Sequence, residues 1–307
     1  MEKELKELEN RYFMLQMQDH WEQEDYRLAD ELQKQIKELK DNNLNDDNYF
    51  SQENELKYTG SSQIKAFLQC EACALAKLKG EWEEEKSKAM LVSSYIDSAI
   101  SGSAEFSKFV NENPDIFTKA GDLKADYKIA DEVLNQMQQD EMFMKYLNGD
   151  HQVIMTGEIS GVPVKIKIDS LHKDKCIVDL KAIANFDLIW NEETHQKENF
   201  IDYYDYITQA ALYQEIVRQN TAKQLPFIIA AATKQKYSER ALLQIPQEIM
   251  NLKLDFLQQY LPHLQDVKQG KVKPTSCGHC NYCISKKKCD GIYYYDSFFN
   301  KETTYKI

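Results

Sequence analysis

Between residues 150 and 184 the spacing of apolar residues changes from every third or fourth position to every second. HQVIMTGEIS, VPVKIKIDSL and CIVDLKAIA therefore predict three consecutive strands. Helical spacing surrounds them. SSQIKAFLQCEACALAKLKGEW, KAMLVSSYIDSAISG and most of 104–150 lie upstream, and DYYDYITQAALYQEIVRQN follows. PFIIAAATK then reads as a fully buried strand, ALLQIP as a further one, and QEIMNLKLDFLQQYLPHLQDVKQG as a long helix. Strands set among helices in this order constrain the chain to an α/β fold. Serines 61 and 62 are the expected caps of the first body helix.

Side chains on a strand alternate between faces. Val162, Val164, Ile166 and Ile168 share one face of the second predicted strand, and Lys165, Lys167 and Asp169 share the other. In the third, Asp179 and Lys181 fall on one side, Val178 and Leu180 on the opposite side. LHKDK is short enough for an antiparallel hairpin, which brings Asp169 and Asp179 together on the polar face with Lys181 beside them. Two close carboxylates repel unless a cation lies between them. Oxygen ligands suit hard cations such as Mg²⁺ or Mn²⁺. An adjacent ammonium can steady an attacking water or the charge that develops on a phosphate.

Residues 1–45 predict a helical hairpin, with Leu8, Tyr12 and Leu15 on one stripe and Leu28, Leu32 and Ile36 on another. It is expected to serve oligomerisation or partner docking. Residues 46–56 read as a polar linker, and 57–307 as the main domain, with a cysteine-rich segment at 277–289. No apolar run reaches the roughly 18 residues of a membrane span, and the start is charged, so a cytoplasmic location is expected. The net charge of −12 argues against broad adhesion to nucleic acid, but not against a local basic groove. Lys165, Lys167, Lys234, Lys236 and the lysines of SKKKC are the candidate phosphate contacts.

Four of the seven cysteines crowd into CGHCNYCISKKKC, a spacing that suits a soft metal. Cys70 and Cys73 lie far upstream.

The segments KIDSL, IVDLKA and QAALY, in that order, resemble the RecB-like branch of the PD-(D/E)XK nuclease superfamily. SSQIKAFLQCEACALAKLKGEW, MLVSSYIDSAISG and CGHCNYC extend the likeness to phage and prophage exonucleases of the RecE (exonuclease VIII) type, over roughly residues 57–290. The resemblance implies a restriction-endonuclease-like core, a central mixed sheet flanked by helices, behind the N-terminal hairpin. It makes Asp169 and Asp179 the metal-binding acids, Lys181 the catalytic lysine, and Gln209 and Tyr213 the helix motif beside them. Many relatives carry a metal-binding histidine where this chain has SSYIDSAI; Asp97 is the nearest substitute, and Glu158 a second candidate. Some relatives hold an iron–sulfur cluster, and Cys70, Cys280, Cys283 and Cys289 fit that arrangement; Cys277 could instead be a ligand, in a local four-cysteine set suited to zinc.

The implied activity is Mg²⁺-dependent 5′→3′ degradation of one strand from double-stranded DNA ends. A ring-shaped homo-oligomer and a single-strand annealing recombinase would accompany it. An endonuclease on the same core, or a non-catalytic DNA-binding scaffold, is the alternative.

Overall fold

The structure, a computed structural model, describes residues 2–18, 20–42, 44–84, 87–289 and 291–294. The last residues of the expected main domain, 295–307, lie outside them. Five strands form one sheet: β1 (Asp150–Ile159), β2 (Val162–His172), β3 (Cys176–Ile183), β6 (Phe227–Thr233) and β7 (Arg240–Gln244), in the order β1-β2-β3-β6-β7. A two-stranded ribbon, β4 (Ile189–Asn191) and β5 (Gln196–Glu198), stands apart; its short polar strands carry no periodic signal and were not predicted.

The helices, in chain order, are α1 (Glu2–Gln16), α2 (Gln23–Asn42), α3 (Gln52–Lys57), α4 (Ser61–Gln69), α5 (Glu71–Leu78), α6 (Lys88–Ser101), α7 (Ser103–Glu112), α8 (Ala125–Gln138), α9 (Glu141–Leu147), α10 (Phe200–Tyr203), α11 (Tyr206–Thr221), α12 (Gln247–Lys268) and α13 (Asn281–Lys286).

The mixed sheet follows from the connections. β1, β2 and β3 run antiparallel through tight turns. β3 and β6 pair in parallel, which requires a crossover, and α11 lies within it. All seven residues of β6 are buried, as expected for a strand covered on both faces. On one face Ile166, Ile168, Ile177 and Ile229 pack with Leu212 and Ile216 of α11. On the other, Val178, Leu180 and Ala230 pack with Val133, Met137 and Phe143 of α8 and α9. α11 crosses β1 so closely at Gly157 that a Cβ there would meet Ile216 Cδ1 at 2.8 Å.

The N-terminal hairpin has its own small apolar cluster, Leu15, Ala29 and Leu32 with Leu8, Tyr12 and Trp21 around them. Residues 46–56, read as a linker, are instead packed on the body. Tyr49 is buried, and Ser51 caps α3. The Lys165 ammonium reaches the Tyr49 carbonyl and, at 2.8 Å, Glu55 Oε1. Lys268 donates to the carbonyls of Glu55 and Tyr58 at 2.9 and 2.8 Å. Two ammonium groups inside the body need acceptors, and this segment supplies them. Thr59 continues it as a parallel bridge to Val164. The cap of α4 is Gly60 rather than a serine.

Candidate active site

The β2–β3 ladder is short: Ser170 pairs with Val178, Leu171 with Ile177, and His172 with Cys176. Two residues beyond Val178 along β3, the Leu180 N–H finds a side chain of β2 instead of its main chain, donating to Asp169 Oδ2 at 2.9 Å. Asp169 and Asp179 thus meet where the two strands part. The expected convergence is present, but Asp179 lies buried against α11 rather than on a solvated polar face. Gln209 donates to Asp179 Oδ1 at 2.6 Å, and the Lys181 ammonium lies 2.5 Å from Oδ2. Oδ2 is buried, with that ammonium as its partner. One helical turn beyond Gln209, the Tyr213 hydroxyl donates to the Lys167 carbonyl at 3.0 Å and ties α11 to β2.

These groups border a cleft of about 610 Å³ lined by Asp97, Asp169, Lys181 and Tyr213, with Ser61 and Ser62 at the start of α4. Asp97 enters from α6, whose first turns are fixed by Lys234, donating to Ala89 O and Ser93 Oγ at 3.0 and 2.9 Å. The walls of the cleft raise the Asp97 carboxyl by partial desolvation, although the residue itself is exposed to solvent, with Lys181 opposing and Asp179 adding to the rise. Burial also raises Asp169, reinforced by Asp179 and Asp97. Burial works against the Lys181 ammonium, but the Asp179 and Asp169 carboxylates outweigh it and hold it charged. One ammonium among three carboxylates leaves negative charge to be balanced. A set of carboxylate oxygens with that charge fits a divalent cation bound by oxygen.

The other expected residues divide. Glu158 is exposed at the far end of β1, opposite Pro163, where its main chain bonds to Gln219. It is six positions from Gln152, the β1 residue that does line the cleft, so it does not reach the centre. Strand alternation told which face Glu158 occupies but not which end of β1 approaches the acids. Lys165 and Lys234 are spent on internal acceptors, and Lys167 pairs with Asp46 at 2.8 Å. Lys236 and the lysines of SKKKC remain exposed. Two residues were missed. The Tyr206 ring lies beneath both Lys181 and Lys65, at 4.8 and 5.0 Å from their ammonium nitrogens. Burial lowers the Lys65 amine, and Lys181 adds to the fall. No local pattern hinted at this, because the Tyr206 ring is 141 residues from Lys65 in sequence.

The cysteines also regroup. Cys70, Cys277, Cys280 and Cys283 place their sulfurs all within 4.8 Å of one another. Cys289, expected as a ligand, is exposed and points to the Gly291 carbonyl at 3.4 Å. Its place is taken by Cys277. A three-residue turn returns Cys277 to the group, whereas residues 287–289 run on past the end of α13.

Among the described residues no helix is long and apolar enough to cross a membrane. No functionally curated protein matches the chain. In the crystal structures, a protein of Eubacterium rectale provisionally described as an exonuclease superposes with a TM-score of 0.78 at 39% identity, covering 84% of this chain and 98% of that one. Residues 60–286 match the family described as "PDDEXK-like domain of unknown function (DUF3799)". A parting strand pair that carries Asp169, Asp179 and Lys181, set in this sheet and within those limits, makes the chain a member of that PDDEXK-like family, with the fold of a PD-(D/E)XK nuclease.

Proposed function

We propose that this chain is a Mg²⁺-dependent exonuclease of double-stranded DNA, working 5′→3′ from ends and leaving single-stranded tails for recombination by an annealing protein. The observation that carries the hydrolytic reading is Asp169 and Lys181 lining one cleft, with Asp179 buried directly behind them, paired with Lys181 and held by Gln209. Action at ends is supported by the description of the Eubacterium rectale protein. Polarity, a ring-shaped assembly and the annealing partner rest on the likeness to RecE-type exonucleases.

Asp169 and Asp179 would hold the cation, with Asp97 in reach from α6; Mn²⁺ could replace Mg²⁺. A bound divalent ion would supply Lewis acidity at the phosphate and a water of lowered pKa. Asp169 uses Oδ2 on the Leu180 N–H, which leaves Oδ1 for the cleft. Lys181, held charged by its neighbours, orients the attacking water and offsets the charge that builds on the phosphate. Gln209 keeps Asp179 from turning away.

The test is a linear duplex with distinguishable 5′ and 3′ labels beside a covalently closed circle, each with and without Mg²⁺. Early release of the 5′ label from the linear duplex alone, and only with Mg²⁺, is expected. Cutting of the circle would make the protein an endonuclease; no cleavage at any protein concentration would make it a scaffold.

A further inference from the structure

The cysteine group is a second centre, separate from the cleft. Ser61 and Ser62 line the cleft at the start of α4, and Cys70 follows its last residue. The two ends of that helix are roughly 13 Å apart by helical rise. Cys70 Sγ lies 3.5 Å from Cys283 Sγ and 3.9 Å from Cys280 Sγ, and Cys277 Sγ lies 3.9 Å from Cys283 Sγ. Four sulfurs around a single metal, each at about 2.3 Å, form a tetrahedron with edges of about 3.8 Å. These three separations lie close to that figure, and all six fall within 4.8 Å. An iron–sulfur cluster places irons and bridging sulfides between cysteines on different irons, so some of its cysteine sulfurs must lie further apart than the 4.8 Å within which all four fall here.

The main chain is arranged for thiolates. The N–H groups of Cys277, Cys280 and Cys283 donate to the sulfurs of Cys70, Cys277 and Cys280 at 3.5, 3.3 and 3.5 Å. Gly278, at φ +79°, allows the sharp Cys-Gly-His-Cys turn that folds Cys277 and Cys280 onto one point. Trp82 and Tyr282, packed edge to face with centroids 5.6 Å apart, flank the group. Cys73 is buried beside it but outside the set.

We infer that Cys70, Cys277, Cys280 and Cys283 bind one zinc ion as a closed tetrahedral tetrathiolate site, and that Cys289 is not a ligand. Tetrahedral four-sulfur coordination suits zinc, and a closed set leaves no open position for catalysis. The ion fastens the start of α5 to the segment that leads into α13. Glu71 and Thr275 reinforce the same seam, with both the Thr275 N–H and hydroxyl donating to Glu71 Oε2 at 2.8 Å.

The experiment is elemental analysis of the full-length protein as purified, beside Cys277→Ser and Cys289→Ser. About one zinc per chain is expected in the wild type and in Cys289→Ser, with loss in Cys277→Ser. Protein from cobalt-supplemented cells should show the visible bands of tetrahedral four-thiolate cobalt, unchanged by Cys289→Ser. This arm needs no folded Cys277→Ser. Iron in place of zinc, a brown iron–sulfur spectrum, loss of metal in Cys289→Ser, or metal-free protein with freely reactive thiols would each overturn the assignment. None of these readouts depends on nuclease activity.

Discussion

Asp179 is buried with one oxygen held by Gln209 and the other beside Lys181, so its charge and the lysine's are mutually dependent. Alanine at Asp179 would strand a buried ammonium, and removing one partner of such a pair costs about 3–5 kcal/mol. Asp179→Asn is the cleaner variant. It and Lys181→Ala should each lower the cleavage rate by at least about 10²-fold, with DNA retained in a gel-shift assay. Glu158→Gln should leave the rate unchanged in the same nuclease assay; a large loss would return that residue to the site. Glu71 gives a pH-dependent prediction. Burial pushes its carboxyl up, but the Thr275 and His263 hydrogen bonds outweigh burial and hold it below the usual carboxylate range. A depressed folded pKa stabilises the protein above the unfolded value and stops doing so as pH falls through the folded one. The melting temperature of Glu71→Gln should therefore fall less than that of the wild type when pH is lowered below about 4.5. Residue identities in the cleft were legible in part. Asp169, Asp179 and Lys181 follow from alternation along two adjacent strands, and Gln209 and Tyr213 from their match to a known helix motif. Lys65, Tyr206 and Gln152 depend on tertiary contacts that no local pattern encodes.

Helix α11 delivers Gln209 and Tyr213 to the site, and its start is set by an unusual residue. Asp205 adopts φ +47°, a left-handed conformation in which a short polar side chain is tolerated. Its carboxylate accepts from the Thr208 N–H and hydroxyl at 3.3 and 2.6 Å and pairs with Lys253 at 3.0 Å. Asp205→Ala removes the cap and keeps the strained backbone, so a loss of about 1–2 kcal/mol is expected by denaturant unfolding. Nuclease activity should fall with it, because Gln209 lies on the helix's second turn. The break between α10 and α11 was invisible in a continuous helical pattern, as Asp at a cap resembles Asp on a solvated face. The sheet was far easier to read: the switch from period 3.6 to period 2 marks β1 to β3, and the unbroken apolar run marks β6. The cysteines show the opposite case. Spacing alone permitted either Cys277 or Cys289, and only the path of the chain after α13 separates them.

Two seams hold the assembled chain together, and each joins residues far apart in sequence. At one, the segment before α4 surrounds the ammonium groups of Lys165 and Lys268. Truncation should respect this boundary rather than the polar composition of 46–56. Removal of residues 1–43 takes away only a hairpin with its own small cluster, and the body should keep its melting temperature within a few degrees. Removal of 1–58 takes the Tyr49 and Glu55 acceptors from the buried Lys165 and two of the acceptors from Lys268, and insoluble or unfolded protein is expected on expression. The second seam brings Cys70 against residues more than 200 positions later. A ribosome must therefore release the chain past Cys283 before α4 can be locked at its far end. The wall of the cleft that α4 contributes is fastened only after the entire sheet has emerged, so a nascent chain carries its acids and its lysine well before the cleft around them is finished.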